Sequence, residues 1–279
     1  MAVYFNDRFL EDKEATLHVS DLSMQRAYAV FDFFRTLRGV PLFMSDHLDR
    51  FYTSARAMHL PVRQNKEELS GILNELIQKS GISQAGVRIM LTGGFSKDSY
   101  NPAEPNLLIT CNPVNVITDA DFEKGIQVIT YEHQRELPQI KSINYQMAVW
   151  LQPTLKEKKA DDLLYYKNNI ITEFPRSNVF IVTDENKLLT PGNNILHGIT
   201  RKQVLSLAKE IMPVEESDIT LNDLLAAKEI FLTSTTKKIL PVVLVNNQTI
   251  GNGKPGKITT ALYQKFLELE KNLTHLVSL

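Results

Sequence analysis

Apolar residues recur along this chain with two periods, and the periods separate strands from helices. "VYFNDRFL" places Asn6-Asp7, a turn-forming pair, between two short apolar runs and reads as a hairpin. "AVFDFFRTLRGVPLFM" reads as two strands around Arg38-Gly39. Ser45 then stands where an N-cap is wanted, ahead of Leu48, Phe51, Tyr52, Ala55 and Met58 on one helical face. A second helix is predicted over 66–79, with Leu69, Ile72, Leu73, Leu76 and Ile77 as its apolar stripe. "GVRIMLTGG" and "NLLITCN" follow as strands across a polar loop.

"NPVNVITDAD", residues 112–121, has the proline and polar content of a linker. Beyond it, strands are predicted at "IQVITYE", "DLLYYKN", "NVFIVTD", "KLLTP", "EIFLTST" and "PVVLVNN". Helices are predicted to begin near Asn144, Thr200, Leu221 and Lys257. The pattern is α+β in two domains: a small N-terminal one over 1–115, a linker at 116–121, and a larger one over 122–279.

Charge narrows the partners. Lys plus Arg is 31 and Asp plus Glu is 32, a net charge of −1, which disfavours nucleic acid or an anionic membrane as the main partner. Cys111 is the only cysteine, so neither an intrachain disulfide nor a cysteine metal cluster can form, and no metal is expected. "MAVYFNDRFLEDKEA" has no basic stretch ahead of an apolar core, and apolar runs fall far short of a membrane span. The expectation is a soluble, cytoplasmic protein.

Three local features are suited to a small anion. In "LHGITRKQVLSLAKEI", Gly198 precedes a helix whose first-turn N–H groups, at Ile199 and Thr200, point outward. Ordinary capping by Thr200 is the competing explanation. "FLTSTTKK" ends a strand in four hydroxyl residues, Thr233 to Thr236, which is also a common polar strand exit. Arg50 lies off the apolar stripe of its helix, as a solvated arginine would, or as a phosphate clamp would.

Lys141 in "QIKSINYQMAVW" taken alone is a surface charge, because lysines generally are. A reactive lysine beside a phosphorylated ligand would instead suggest pyridoxal 5'-phosphate, whose aldehyde forms a Schiff base with an amine. That cofactor wants a carboxylate at its pyridine nitrogen. Glu173 in "ITEFPRSNVF" could supply it, though a turn glutamate has the same spacing.

The stretches "HLDRFYTSA" (47–55), "IKSINY" (140–145), "ITEFPRSNVF" (171–180), "LLTPGNNILHGITR" (188–201) and "FLTSTTKKILPV" (231–242) occur in one order across nearly the whole chain. In that order they resemble the class IV, fold-type IV pyridoxal-phosphate enzymes, which include branched-chain and D-amino acid aminotransferases and aminodeoxychorismate lyases. The resemblance implies that Lys141 carries the internal aldimine and then moves the substrate α-proton. It implies that Glu173 faces the pyridine nitrogen, that Arg50, the N–H groups of Ile199 and Thr200, and Thr235 hold the phosphate, and that Tyr145 contacts the phenolic oxygen. Branched-chain enzymes bind the substrate carboxylate at the turn corresponding to Thr235-Thr236, so Thr236 joins the substrate site. A homodimer is implied in the same way.

Three positions depart from the family pattern. Tyr28 in "RAYAVFDFF" is larger than the small turn residue expected there, and Gly93 replaces an arginine that clamps the carboxylate in D-amino acid aminotransferases. Pro175 stands where a small or hydroxyl residue usually follows the glutamate, and removes a backbone donor. Alternation along 30–35 puts Phe31, Phe33 and Arg35 on one strand face, which the family uses to line its active site. Phe33 would narrow the pocket and Arg35 would attract a second carboxylate or order the other aromatics, with plain core packing as the alternative for the phenylalanines. The implied activity is transfer of an amino group between an amino acid, branched-chain-like, and a 2-oxo acid such as 2-oxoglutarate. Tyr145 and Gly93 favour this over a 4-amino-4-deoxychorismate lyase on the same scaffold; a cofactor-binding homologue without turnover is the third reading.

Overall fold

The computed structural model describes residues 2–276 of the chain. It divides into two compact units. The first takes in the described part of Met1–Val114, Ile140–Asn144 and Leu273–Leu279, and the second takes in Asn115–Gln139 and Tyr145–Asn272. The short return of 140–144 to the first unit bears directly on function, because it carries Lys141.

The first unit contains β1 (Ala2–Phe5), β2 (Arg8–Glu11), α1 (Leu22–Arg26), β3 (Ala29–Leu37), β4 (Val40–Pro41), α2 (Met44–Ala57), α3 (Lys66–Ser80), β5 (Ala85–Thr92) and β6 (Leu107–Pro113). Its six strands form one sheet in the order β2-β1-β6-β5-β3-β4. Both expected turns are there. Asn6 and Asp7 have φ of 42° and 69°, and Arg38 and Gly39 have 55° and 78°, the left-handed backbone that a two-residue hairpin turn needs.

Alternate residues of β3 face opposite ways. Val30 and Phe34 join Val87, Ile89 and Ile109 in a core closed by Leu48 and Phe51 of α2 and Leu69, Leu73 and Leu76 of α3. Each such side chain contributes about 1.5–3 kcal/mol on burial. Asn65 caps α3 reciprocally with Glu68, and Gly81 ends it at φ 62°. Ser45 does not cap α2. The helix starts one residue before it, with Phe43 in the left-handed conformation at the cap and no side-chain hydrogen bond there. Leu42 explains the difference: it is buried, and its N–H donates to the Arg35 carbonyl at 3.0 Å, so the hairpin delivers the chain into the helix early.

The second unit contains α4 (Asp119–Lys124), β7 (Ile126–Glu132), α5 (Gln146–Trp150), α6 (Gln152–Glu157), β8 (Asp162–Lys167), β9 (Ile170–Ile171), β10 (Asn178–Val182), β11 (Leu188–Thr190), α7 (Ile199–Ala208), β12 (Val214–Glu216), α8 (Leu221–Ala226), β13 (Glu229–Ser234), β14 (Lys238–Val245), β15 (Gln248–Thr249) and much of α9 (Lys257–Leu276). The sheet runs β12-β11-β10-β13-β14-β7-β8-β9, with β15 beside β14. Its centre is mixed: β10, β13 and β14 are antiparallel, while β14-β7 and β7-β8 are parallel. All five residues of β10 are buried, as an interior strand covered on both faces requires. Val179, Ile181, Ile230, Leu232, Leu240 and Val242 form one face of that core.

The α+β expectation holds. Short elements escaped it, including β12 and α4, whose first turn lies inside the stretch that reads as linker. Thr118 caps α4 in a box with Asp121, a pattern that polar composition disguises as loop. Among the described residues no helix is long and apolar enough to cross a membrane, and no cluster of three His, Cys, Asp or Glu side chains could hold a metal.

Candidate active site

In the first unit the segment 140–144 lies along β3 like a short added strand. The Phe31 N–H donates to the Lys141 carbonyl at 2.9 Å, the Ile143 N–H donates to Ala29 at 3.2 Å, and Val30 bridges Ser142. Ile140 plugs into the apolar core, and the Lys141 N–H donates to Ser54 Oγ of α2 at 3.2 Å. This pairing puts Lys141 beside Phe31 on the face opposite the α2 core. The Lys141 ammonium lies 4.5 Å from the Phe31 ring centroid. Lys141 is half-buried on an ordered backbone; the reading as a solvated helix start does not describe it.

The same face carries the other residues that alternation predicted. Phe33 pairs with Arg88 of β5, and Arg35 pairs with Gly86. A Cβ on Gly86 would come within 2.6 Å of Phe33 Cζ, so the missing side chain makes room for that ring. Arg35 is buried. The Arg88 guanidinium sits 5.2 Å from the Phe31 centroid, so two cations, Lys141 and Arg88, share one aromatic ring.

Behind this face lies a buried charged group. Asp32 points into the α2 side of the sheet with 0 % exposure. Arg50 donates to it twice, Nε to Oδ2 at 2.8 Å and Nη2 to Oδ1 at 2.9 Å, and His47 Nδ1 lies 2.7 Å from Oδ1. Burial would raise the Asp32 pKa, but the Arg50 charge and the His47 hydrogen bond outweigh it and hold the carboxyl well below the usual range. Burial pushes the His47 imidazole down from its ordinary value, against the pull of Asp32.

The second unit holds the other candidates. Glu173 is buried, and Arg135 donates to its Oε1 through Nε and Nη2, both at 2.8 Å. The Leu196 N–H donates to Glu173 Oε2 at 2.9 Å, and Arg135 Nη2 also reaches the Pro138 carbonyl. Pro175 does not disturb this geometry. It is the second residue of the four-residue turn 174–177, whose ends are paired by the Phe174 N–H donating to the Ser177 carbonyl at 2.9 Å, a position that favours proline. Tyr145 precedes α5 as its cap residue, its carbonyl accepting from Val149 at 3.0 Å.

Gly198 opens α7, where no side-chain cap is present. Thr200 therefore does not cap this helix; it is buried within the first turn, beside Ile199. A Cβ on Gly198 would collide with Asn178 Oδ1, and the Asn178 amide is held by the Leu196 carbonyl at 2.7 Å. Thr235 and Thr236 are half-buried in the turn between β13 and β14. Ile117 donates to the Thr236 carbonyl at 3.2 Å, and the Lys237 ammonium is tied to Asp162 at 2.6 Å, which braces that turn.

A sequence model described as amino-transferase class IV matches residues 29–245. The chain belongs to the class IV aminotransferases. Among similar class members, the D-alanine aminotransferase of Listeria monocytogenes serotype 4b (strain F2365) is 31 % identical over 277 residues, 96 % of each chain. A putative branched-chain-amino-acid aminotransferase of Methanocaldococcus jannaschii is 30 % identical, again over 96 % of each. The branched-chain amino acid aminotransferase of Escherichia coli has the same fold at TM-score 0.89. It is 24 % identical, with 96 % of this chain and 94 % of that one covered.

Class IV aminotransferases use pyridoxal 5'-phosphate, and this class IV chain has groups that fit it. Ser177 Oγ and Thr233 Oγ1 are buried with no hydrogen-bond partner, on the chain that flanks Asn178 and on the strand paired with it. Orphaned buried hydroxyls beside a helix N-terminus that no side chain caps suit an anionic oxygen cluster. Glu173, kept among donors, suits a protonated ring nitrogen.

The departures at positions 28 and 93 turn out to be one packing arrangement. The Gly93 N–H donates to the Tyr28 carbonyl at 2.9 Å, and a Cβ at 93 would lie 2.9 Å from Tyr28 Cδ1. Tyr28 fills the space a side chain at 93 would need, and its hydroxyl donates to the Met58 carbonyl at 2.6 Å. Sequence reasoning missed Asp32, His47, Arg88 and Arg135. Only Asp32 left a signal: a carboxylate at a core-facing position of an apolar strand must have a partner.

Proposed function

We propose that this aminotransferase moves the amino group of an amino acid with an apolar, branched-chain-like side chain to a 2-oxo acid with a second carboxylate, such as 2-oxoglutarate. The observation that carries the reading is the strand face on which Lys141 and Arg88 share the Phe31 ring, with Arg35 two residues beyond Phe33. A mostly aromatic face with two guanidinium groups suits an apolar side chain in one half-reaction and a distal carboxylate in the other.

In this reading the bound cofactor supplies an electron-withdrawing ring that eases loss of the substrate α-proton. Lys141 Nζ binds the cofactor and then takes and returns that proton. Ordered backbone at 140–144 limits the motion this needs. Arg50, the N–H groups of Ile199 and Thr200, and Thr235 hold the phosphate. Glu173, paired with Arg135, holds a proton on the ring nitrogen, and Tyr145 contacts the phenolic oxygen. Phe31, Phe33, Arg35 and Thr236 meet the substrate.

A homodimer in the cytoplasm completes the proposal. Val19, Met24, Phe95 and Tyr100 of the first unit are large and exposed, the kind of surface a second copy would cover. Sedimentation at micromolar concentration checks it, and a monomer would sink it.

A second reading takes D-amino acids as donors. The D-alanine aminotransferase relatives favour it, and the space filled by Tyr28 at Gly93 argues against the arginine clamp of that type. A panel of L- and D-amino acids, each mixed with 2-oxoglutarate and scored for glutamate, decides between them. L-leucine, L-valine and L-isoleucine are expected to lead. Turnover of D-amino acids alone would replace the first reading with the second, and glutamate from none would overturn both.

A further inference from the structure

We propose that Asp32, braced by His47, is a positioning residue that aims the Arg50 guanidinium at the phosphate. The inference rests on the reading of Arg50 as a phosphate clamp and deepens it. Asp32 has no reason to lie on the core face of β3 as a packing group, since Val30 and Phe34 on either side of it are apolar core residues. A carboxylate there is tolerated only with close partners, and it has two.

The geometry has a direction. Asp32 is held on an interior strand between β5 and the Lys141 segment, so its backbone is fixed from both sides. It takes Arg50 side-on, through Nε and Nη2. A guanidinium presents five N–H donors in a rigid plane, so fixing one edge fixes where the others point. His47 stands one turn before Arg50 on α2, fixes Asp32 Oδ1, and lies against Phe34 with ring centroids 5.8 Å apart. An unbraced arginine on a helix samples many rotamers and must be ordered by the anion itself, weakening binding.

A merely structural Asp32 would affect every ligand of the folded protein alike. A positioning Asp32 would affect the phosphate-bearing ligand in particular. The test is the preference of the apo-protein for pyridoxal 5'-phosphate over pyridoxal, measured by equilibrium dialysis on the wild type, Asp32→Asn, Arg50→Gln and the double variant. Both ligands offer the same aldehyde to Lys141, so the ratio isolates the phosphate. Arg50→Gln should lower the ratio by about a hundredfold and Asp32→Asn by about tenfold, the range of charge-assisted hydrogen bonds. The double variant should match Arg50→Gln, because Asp32 acts through that side chain.

An unchanged ratio in Asp32→Asn, with Arg50→Gln lowered, overturns the positioning role and leaves the clamp standing. An Asp32→Asn effect that persists undiminished in the Arg50→Gln background also overturns it. An unchanged ratio in Arg50→Gln overturns the clamp and this inference together. If Asp32→Asn does not fold, His47→Gln carries the test: a fall of about threefold in the same ratio is expected from loss of one hydrogen bond, and no fall overturns the inference.

Discussion

Two buried arginine–carboxylate pairs lie in the two units of this chain, and they are built for opposite ends. In the first unit Arg50 is the group proposed to meet an anion, and Asp32 supports it from a buried strand. In the second unit Glu173 is proposed to meet a cationic ring nitrogen, and Arg135 supports it. Each arginine uses Nε and Nη2 at 2.8–2.9 Å, but Arg50 spans both oxygens of Asp32 whereas Arg135 brings both nitrogens to Oε1 of Glu173. Their surroundings differ. Asp32 is further held by His47, a side chain, while Glu173 is further held by the Leu196 N–H, a backbone donor. An ion pair alone therefore says little about function: in both pairs the carboxylate is the more buried partner, yet it is the proposed support in one and the proposed functional group in the other.

The largest expected effect sets the scale for both pairs. Lys141→Ala should lower the transamination rate by at least about 10⁴-fold, the upper range for loss of a general acid–base group. Borohydride treatment of the wild-type protein with pyridoxal 5'-phosphate, followed by peptide mass mapping, should label Lys141. A label on any other lysine would refute the assignment.

Next comes the Glu173 pair. Arg135→Met leaves a buried carboxylate without its main partner and should cost about 3–5 kcal/mol in urea unfolding. Arg135→Met combined with Glu173→Leu should recover most of that stability while activity stays lost. If the single variant is as stable as wild type, Arg135 is not what keeps Glu173 buried, and the likeness between the two pairs fails.

The Asp32 group should have its own acid signature. Its folded pKa lies below the unfolded value, so the folded state binds fewer protons, and stability is complete above about pH 4 and falls as pH drops further. His47 is likewise depressed from 6.5, so its contribution is complete above that pH and begins to fall below it. Thermal melts from pH 7 to pH 3 should show both losses. His47→Gln should flatten the upper part of the curve and Asp32→Asn the lower. Unchanged slopes in both variants would show that acid instability originates elsewhere.

The smallest effect is a control. Arg63 and Glu104 are paired at 2.8 Å in the first unit, but both are more than half exposed. Glu104→Gln should change stability by less than about 0.5 kcal/mol, since solvent screens such pairs. A loss comparable to that of Arg135→Met would mean that burial is not what separates these pairs.

Much of this is legible in the sequence. Strand alternation puts Phe31, Phe33 and Arg35 on one face, and helical spacing places α3 within a residue of its end. The order of five short stretches points to the family without any geometry. Gly198 stands just before α7, as the sequence pattern predicts, but the reason for a glycine there is tertiary: a Cβ would meet Asn178 Oδ1. Asp32 is also legible, as a carboxylate at an apolar position, but its purpose is not, because its partners lie 15 and 18 residues away on another element.

Local spacing along the chain therefore records what near neighbours decide: periodicity, hairpin turns and the face a side chain takes. Tertiary structure decided which of those faces mattered. It laid 140–144 along β3 and brought Lys141 over Phe31, a pairing between residues 110 positions apart that no local spacing records. It matched Tyr28 to Gly93, so that two apparent departures became one packed contact. It joined Arg135 to Glu173 across 38 residues. The reason is physical: periodicity is set by bond geometry within a few residues, whereas the partner of a buried charge is chosen by whatever the folded chain brings within hydrogen-bonding reach.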